Sequence, residues 1–226
     1  MGLDWLSGSD LGLVMKGDEE SKSLGDKFLL ARFKGAFDIV ALAASAGGLR
    51  AISEILAVLP ADFLAAIVVV QHLDPRHRSL MADILSRRTA MKVKEAQEGA
   101  QLNPGTAYIA PANRHLLVNP DGTLSLSQSE LVHFVRPSAD LLFESVAASY
   151  KERAIAVVLS GTGSDGSMGV KAIKKMGGTV IVQDEKSSEF FGMPGAAMQT
   201  GSVDFILPLD EIPSALLTLV STGDVS

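Results

Sequence analysis

Apolar and polar positions alternate along this chain in two rhythms. After a polar N-terminal stretch, Phe37 to Ser45 reads FDIVALAAS, an almost unbroken apolar run. Such a run predicts a strand covered on both faces. Leu49 to Val58 then carries apolar residues at helical spacing. The exchange recurs. AAIVVVQH predicts a second buried strand, a helix is expected over about His77–Arg88 with Leu80, Met81, Ile84 and Leu85 on one face, and AYIAP reads as a short strand. HLLVNPDGTLSLS predicts a β-hairpin, because Pro120, Asp121 and Gly122 supply turn chemistry between alternating segments. Ser138 to Tyr150 reads as a helix with Ser138 as its N-cap. AIAVVLS predicts a strand, followed by a glycine-rich loop and a helix to about Met176. GTVIVQD and VDFILP predict further strands, and a last helix is expected near Glu211–Val220.

Strands separated by helices imply right-handed crossovers. The expected fold is therefore α/β: a doubly wound, three-layer αβα sandwich around a mostly parallel sheet, with the hairpin inserted at an edge. Residues 1–36 interrupt a few apolar residues with Gly, Ser and Asp, and read as a leader, linker or docking segment. The domain is expected over 37–222.

Composition narrows the class. With 226 residues, 47% of them hydrophobic and 20% charged, the chain can bury a core without staples. It has no cysteine, which removes disulfides and thiolate metal sites. The formal charge of −6 argues against a nucleic-acid binder. No apolar run approaches a bilayer span, so no membrane insertion is expected. Asp4 and Asp10 stand where a signal peptide needs basic residues, and a cytoplasmic protein is predicted.

In an open parallel sheet, chemistry gathers at the carboxyl ends of the strands. Ser45 ends the first predicted strand, His72 ends the second, and Asp165 lies in SGTGSDG, just past the strand AIAVVLS. Serine, histidine and aspartate on one rim are the parts of a hydrolytic triad. Each also has a plainer reading. Ser45 could be a helix N-cap or a phosphate-contacting hydroxyl, His72 a satisfied strand-end histidine, and Asp165 a loop or N-cap residue. A metal site from His72, Asp74 and His77 is disfavoured by their spacing. The order Ser, His, Asp, with Ala43 in place of the first glycine of G-x-S-x-G, excludes the α/β-hydrolase elbow.

Five blocks in order resemble the catalytic domain of the chemotaxis protein-glutamate methylesterases, the CheB family. They are AASAGGLRAI, VVVQHLDPRHRSLMADILSRRT, AYIAPANRHLLV, RPSADLLFESVA and VVLSGTGSDGSMGVKAIKKMGGTVIVQDEKSSEFFGMPGAAMQTG. The resemblance implies a triad of Ser45, His72 and Asp165, hydrolysis of glutamate γ-methyl esters on receptor helices, deamidation of receptor glutamines, and no metal or organic cofactor. It implies that main-chain N–H groups at Ala46 and Thr162 serve an oxyanion hole, and it puts Met193 near the active site, either as part of the substrate cleft or as a plain packing residue. Ala46 and Thr162 depart from the family's usual Thr and Met. The 36 residues before the first strand are too few for the receiver domain of many members, so regulation in cis by phosphorylation is not expected. The expected partners are a methylated receptor, an acidic helical coiled coil, with a sensor kinase, a methyltransferase or a separate response regulator in support. A basic stretch at Arg50, Arg76, Arg78, Arg87, Arg88, Lys92 and Lys94 could attract that coiled coil. The departures keep open a catalytically weak or inactive signalling scaffold, and the doubly wound fold by itself also admits a nucleotide-binding domain.

Overall fold

In the computed structural model the chain divides into two units, Met1–Lys34 and Gly35–Ser226. The structure describes residues 37–72 and 80–221. The predicted leader, Asp74, Arg76, His77 and Arg78 lie outside the described residues.

The second unit is built on seven parallel strands in the order β3-β4-β2-β1-β7-β8-β9. These are β1 (Ile39–Ala44), β2 (Ala66–Gln71), β3 (Lys92–Glu95), β4 (Thr106–Ile109), β7 (Ala154–Val158), β8 (Thr179–Gln183) and β9 (Phe205–Leu207). β1 and β2 are buried along their whole length, which explains their unbroken apolar sequences. Successive residues of β1 face opposite ways. Val40, Leu42 and Ala44 pack under α1 (Gly48–Val58), α2 (Met81–Ser86) and α6 (Ile212–Ser221). Ile39, Ala41 and Ala43 pack under α3 (Ala139–Tyr150), α4 (Ser167–Lys175) and α5 (Gly192–Gln199). Two apolar cores, one on each face of the sheet, make the expected three-layer sandwich.

Three details differ from the sequence expectation. β3, with the sequence KVKE, was not predicted. Its charges read as a solvated stretch, yet it pairs in parallel with β4 along the sheet edge, where charged side chains discourage further pairing. The hairpin, β5 (His115–Val118) with β6 (Leu124–Ser127), does not extend an edge of the main sheet. It forms its own two-stranded sheet against α3, where the Val118 N–H donates to Ser145 Oγ and Ser149 Oγ donates to the Val118 carbonyl. Its Leu116, Val118 and Leu124 join the core on that face, so burial and not edge pairing decides its place. The helix expected from about His77 is described from Met81, with Leu80 at its N-cap.

Candidate active site

β1 and β2 lie side by side in register, with Ala44 opposite Gln71. The next pair is Ser45 and His72, and the His72 N–H still donates to the Ala44 carbonyl. β7 flanks β1 on its other side. The three strands whose ends carry the predicted triad are therefore neighbours at the centre of the sheet. There the connections change direction, which is where open α/β sheets form their crevices.

Ser45 sits in a tight turn. Its N–H donates to the Ser160 carbonyl, and its own carbonyl accepts from the Gly48 N–H. The N-cap of α1 is Gly47, with φ of 76° and no side-chain cap. Ser45 is thus not the cap that its position suggested. Gly47 has two reasons to lack a Cβ: the left-handed backbone, and the Ser160 Oγ and Glu189 Cβ that a Cβ would meet at 2.7 and 2.9 Å. Ser160 Oγ donates to the Ala46 carbonyl and accepts from the Phe190 N–H, tying the Ser45 turn to the segment before α5.

Asp165 is only 4% exposed. It does not cap its own helix, α4, whose N-cap is Gly166. It reaches the N-terminus of α3 instead. The main-chain N–H groups of Ala139 and Asp140 donate to it at 2.6 and 3.1 Å, and Ser138 Oγ donates at 2.8 Å. His72 Nε2 lies 2.8 Å from its Oδ2. Burial pushes the Asp165 carboxyl up, but the His72 and main-chain hydrogen bonds outweigh it and hold the group below the usual carboxylate range. The positive end of α3 works in the same direction. With a carboxylate facing it, Nε2 carries the proton, and Nδ1 is the basic nitrogen. No hydrogen bond joins Ser45 Oγ to His72 among the described residues.

Ala46 and Thr162 follow Ser45 and Gly161 in two adjoining loops, since a Cβ on Gly161 would meet Ser45 Cβ at 2.9 Å. Neither the Ala46 nor the Thr162 N–H has a hydrogen-bond partner among the described residues. Of the two readings of Met193, the structure shows the packing one. It is 1% exposed and its sulfur packs against Gly161, so its side chain does not line an open cleft. Its N–H donates to the Gly161 carbonyl at 2.8 Å and thereby fixes the loop carrying Thr162.

A cavity of about 400 Å³ opens beside Ser45, bounded by Gly48, Arg50, Ser53, Gln71 and Arg88 among others. Of the predicted basic stretch, Arg50 and Arg88 reach it, while Lys92 and Lys94 lie on the edge strand β3. Arg50 also pairs with Glu54 one helical turn on.

Other polar groups near the rim have structural partners. His115 is fully buried, accepts from the Ser138 N–H at Nδ1 and donates to the Glu130 carbonyl from Nε2. Asp140 accepts from the Gly169 N–H, and His133 Nε2 stands 3.2 Å from its other oxygen. Burial, aided by the charge of Asp165, pushes the Asp140 carboxyl up. Among the described residues, no group of three His, Cys, Asp or Glu could hold a metal ion.

The sequence points to the three rim residues but not to the groups that hold them. Gln71, Ser160 and the anchoring role of Ser138 were not singled out. The one signal for Gln71 was a polar residue closing an apolar strand immediately before His72. From its sequence position Ser138 shows only as an N-cap, which it is, accepting from the Leu141 N–H.

Comparison with known proteins shows which family the chain resembles. The family described as CheB methylesterase matches residues 40–216. A Leptospira interrogans protein named "Putative protein-glutamate methylesterase/protein-glutamine glutaminase" is 40% identical over 183 residues, covering 81% of this chain and 95% of the relative. The protein-glutamate methylesterase FrzG of Myxococcus xanthus is 41% identical, and there the match spans 81% of this chain but 55% of the relative. The crystal structure of the Thermotoga maritima CheB methylesterase catalytic domain superposes with a TM-score of 0.78 at 38% identity, covering 81% of this chain and 99% of that domain.

Proposed function

The chain belongs to the CheB methylesterase family, and from that membership we propose that it is a protein-glutamate methylesterase whose triad is Ser45, His72 and Asp165. The substrate is a glutamate γ-methyl ester on a methylated chemoreceptor or a related signalling protein. Ser45 Oγ attacks the ester carbonyl while Nδ1 of His72 takes its proton. Asp165 holds the ring through Nε2 and stabilises the imidazolium that forms. The unpartnered N–H groups of Ala46 and Thr162 receive the negative charge on the former carbonyl oxygen. Collapse of the tetrahedral intermediate expels methoxide, which leaves as methanol with the proton from His72. Water, deprotonated by the same imidazole, then cleaves the acyl-enzyme and returns glutamate and free Ser45. The same steps on a glutamine side chain release ammonia, which is the glutaminase activity in the relatives' names.

One observation carries this reading: a buried carboxylate below its usual pKa, bonded to an imidazole at the strand end beside Ser45. The inactive scaffold gains no support from Ala46 and Thr162, because main-chain donors survive a change of side chain. Arg50 and Arg88 beside the cavity suit an acidic receptor helix. A cytoplasmic location, and regulation in trans by a sensor kinase, a methyltransferase or a separate response regulator, belong to the same proposal. No helix among the described residues is long and apolar enough to cross a membrane.

The test is methanol release from a methylated receptor fragment. Wild-type protein should turn over, and Ser45→Ala should lose on the order of 10⁴–10⁶ in kcat. A fluorophosphonate should label wild type at Ser45. Equal methanol release by both proteins would reject the assigned nucleophile.

A further inference from the structure

Gln71, the last residue of β2, makes contacts that the triad does not account for. Its side chain faces α1, opposite to His72, and is 5% exposed. Its amide nitrogen lies 2.6 Å from the Ser45 carbonyl oxygen and 3.1 Å from that of His72. One NH₂ group thus bridges the main chain of the two strand ends that carry the nucleophile and the base. The arrangement has a cost. Oε1 of the same amide is buried without a hydrogen-bond partner, and a buried orphan acceptor calls for an explanation. Flipping the amide would not remove it, because Oε1 would then face two carbonyl oxygens. Space is also reserved for the amide: a Cβ on Gly48 would overlap Oε1 and the Ala44 Cβ.

The consequence follows from the peptide plane. In a trans peptide the C=O and the next N–H point in opposite directions. The Ser45 carbonyl is held by both Gln71 and the Gly48 N–H. The Ala46 N–H in that peptide must therefore point away from Gln71. We propose that Gln71 is a positioning residue that aims the Ala46 N–H at the developing oxyanion and locks the Ser45 and His72 strand ends together. The second loop is built alike: the Met193 N–H holds the Gly161 carbonyl and so turns the Thr162 N–H the opposite way. The inference rests on the methylesterase reading and adds the residue that orients one of its donors.

Gln71→Leu keeps most of the volume and removes both N–H donors, and Gln71→Glu puts a carboxylate against the two carbonyls. Both are assayed per active site, after titration with a fluorophosphonate, for methyl-ester hydrolysis and for binding of a trifluoromethyl ketone that mimics the tetrahedral intermediate. Each variant should lose about 10- to 100-fold in kcat with KM little changed, part of the about 10²–10³-fold cost of removing an oxyanion donor outright. Affinity for the ketone should fall by the same factor. A residue that served stability alone would lower the folded fraction and leave both per-site values unchanged. Gln71→Met provides the same readout if the leucine variant does not fold. Active wild type matched by the folded variants in kcat and ketone affinity overturns the role of Gln71 and leaves the enzymatic reading standing. Wild type that neither hydrolyses the ester nor labels at Ser45 overturns both.

Discussion

At the scale of single residues, the site turns on how Asp165 is held. Four donors converge on its carboxylate, and three of them come from the N-cap and the first two residues of α3. Asp165→Asn keeps the shape but cannot accept as a carboxylate, and a similar change in a serine protease triad costs about 10⁴ in kcat. The same fall is expected here in methanol release, with KM little altered. The substitution should also change the acid side of the stability profile. The folded pKa of Asp165 lies below its ordinary value, so the folded state binds fewer protons than the unfolded state across that interval. The stabilisation is present above the unfolded value of about 3.9 and is lost as pH falls through the folded value. Denaturant titrations at a series of pH values should therefore show a shallower acid loss in Asp165→Asn than in wild type. Ser138 supports both roles of the α3 terminus. Ser138→Ala removes a cap and a donor to Asp165 and should cost about 1–2 kcal/mol in the same titrations, together with a measurable fall in kcat.

At the scale of elements, the helices place the loops that carry the chemistry. Phe143 of α3 is fully buried, and Gly169 of α4 lies against it so closely that a Cβ there would sit 3.0 Å from its ring. That contact sets α4, and the Asp165 loop before it, against the N-terminus of α3. Phe143→Ala should cost about 3–5 kcal/mol in unfolding free energy. Element types were largely legible in the sequence, because burial on both faces leaves a plain signature: unbroken apolar runs for β1, β2 and β7, and a 3.6-residue period for α1. What was illegible follows from pairing. KVKE becomes β3 only because β4 offers an edge. The hairpin looked like an edge element because its alternation reveals two faces, without revealing that one of them covers α3.

At the scale of the whole molecule, the chain carries a net charge of −6, while Arg50 and Arg88 edge the cavity beside Ser45. For the proposed acidic partner, long-range repulsion by the net charge and local attraction by the two arginines oppose each other, and salt screens the longer-range effect more. Arg88→Glu should lower kcat/KM for an acidic methylated helix by raising KM, with kcat nearly unchanged, and the deficit should shrink as ionic strength rises. Steady-state kinetics across a salt series would check this, and an equal loss at every salt concentration would show that Arg88 acts by contact and not by field. By itself the sequence determined the three-layer α/β architecture and put Ser45, His72 and Asp165 at strand ends. Hydrophobic periodicity is local, and the carboxyl end of a strand can be read from where an apolar run stops. Only the tertiary structure decided that Asp165 docks on α3 and not on its own helix, that Met193 is buried, and that the Gln71 amide grips the main chain of two strands. Those are contacts between residues distant in the chain, set by how sheet and helices pack, and no local pattern of residue types encodes them.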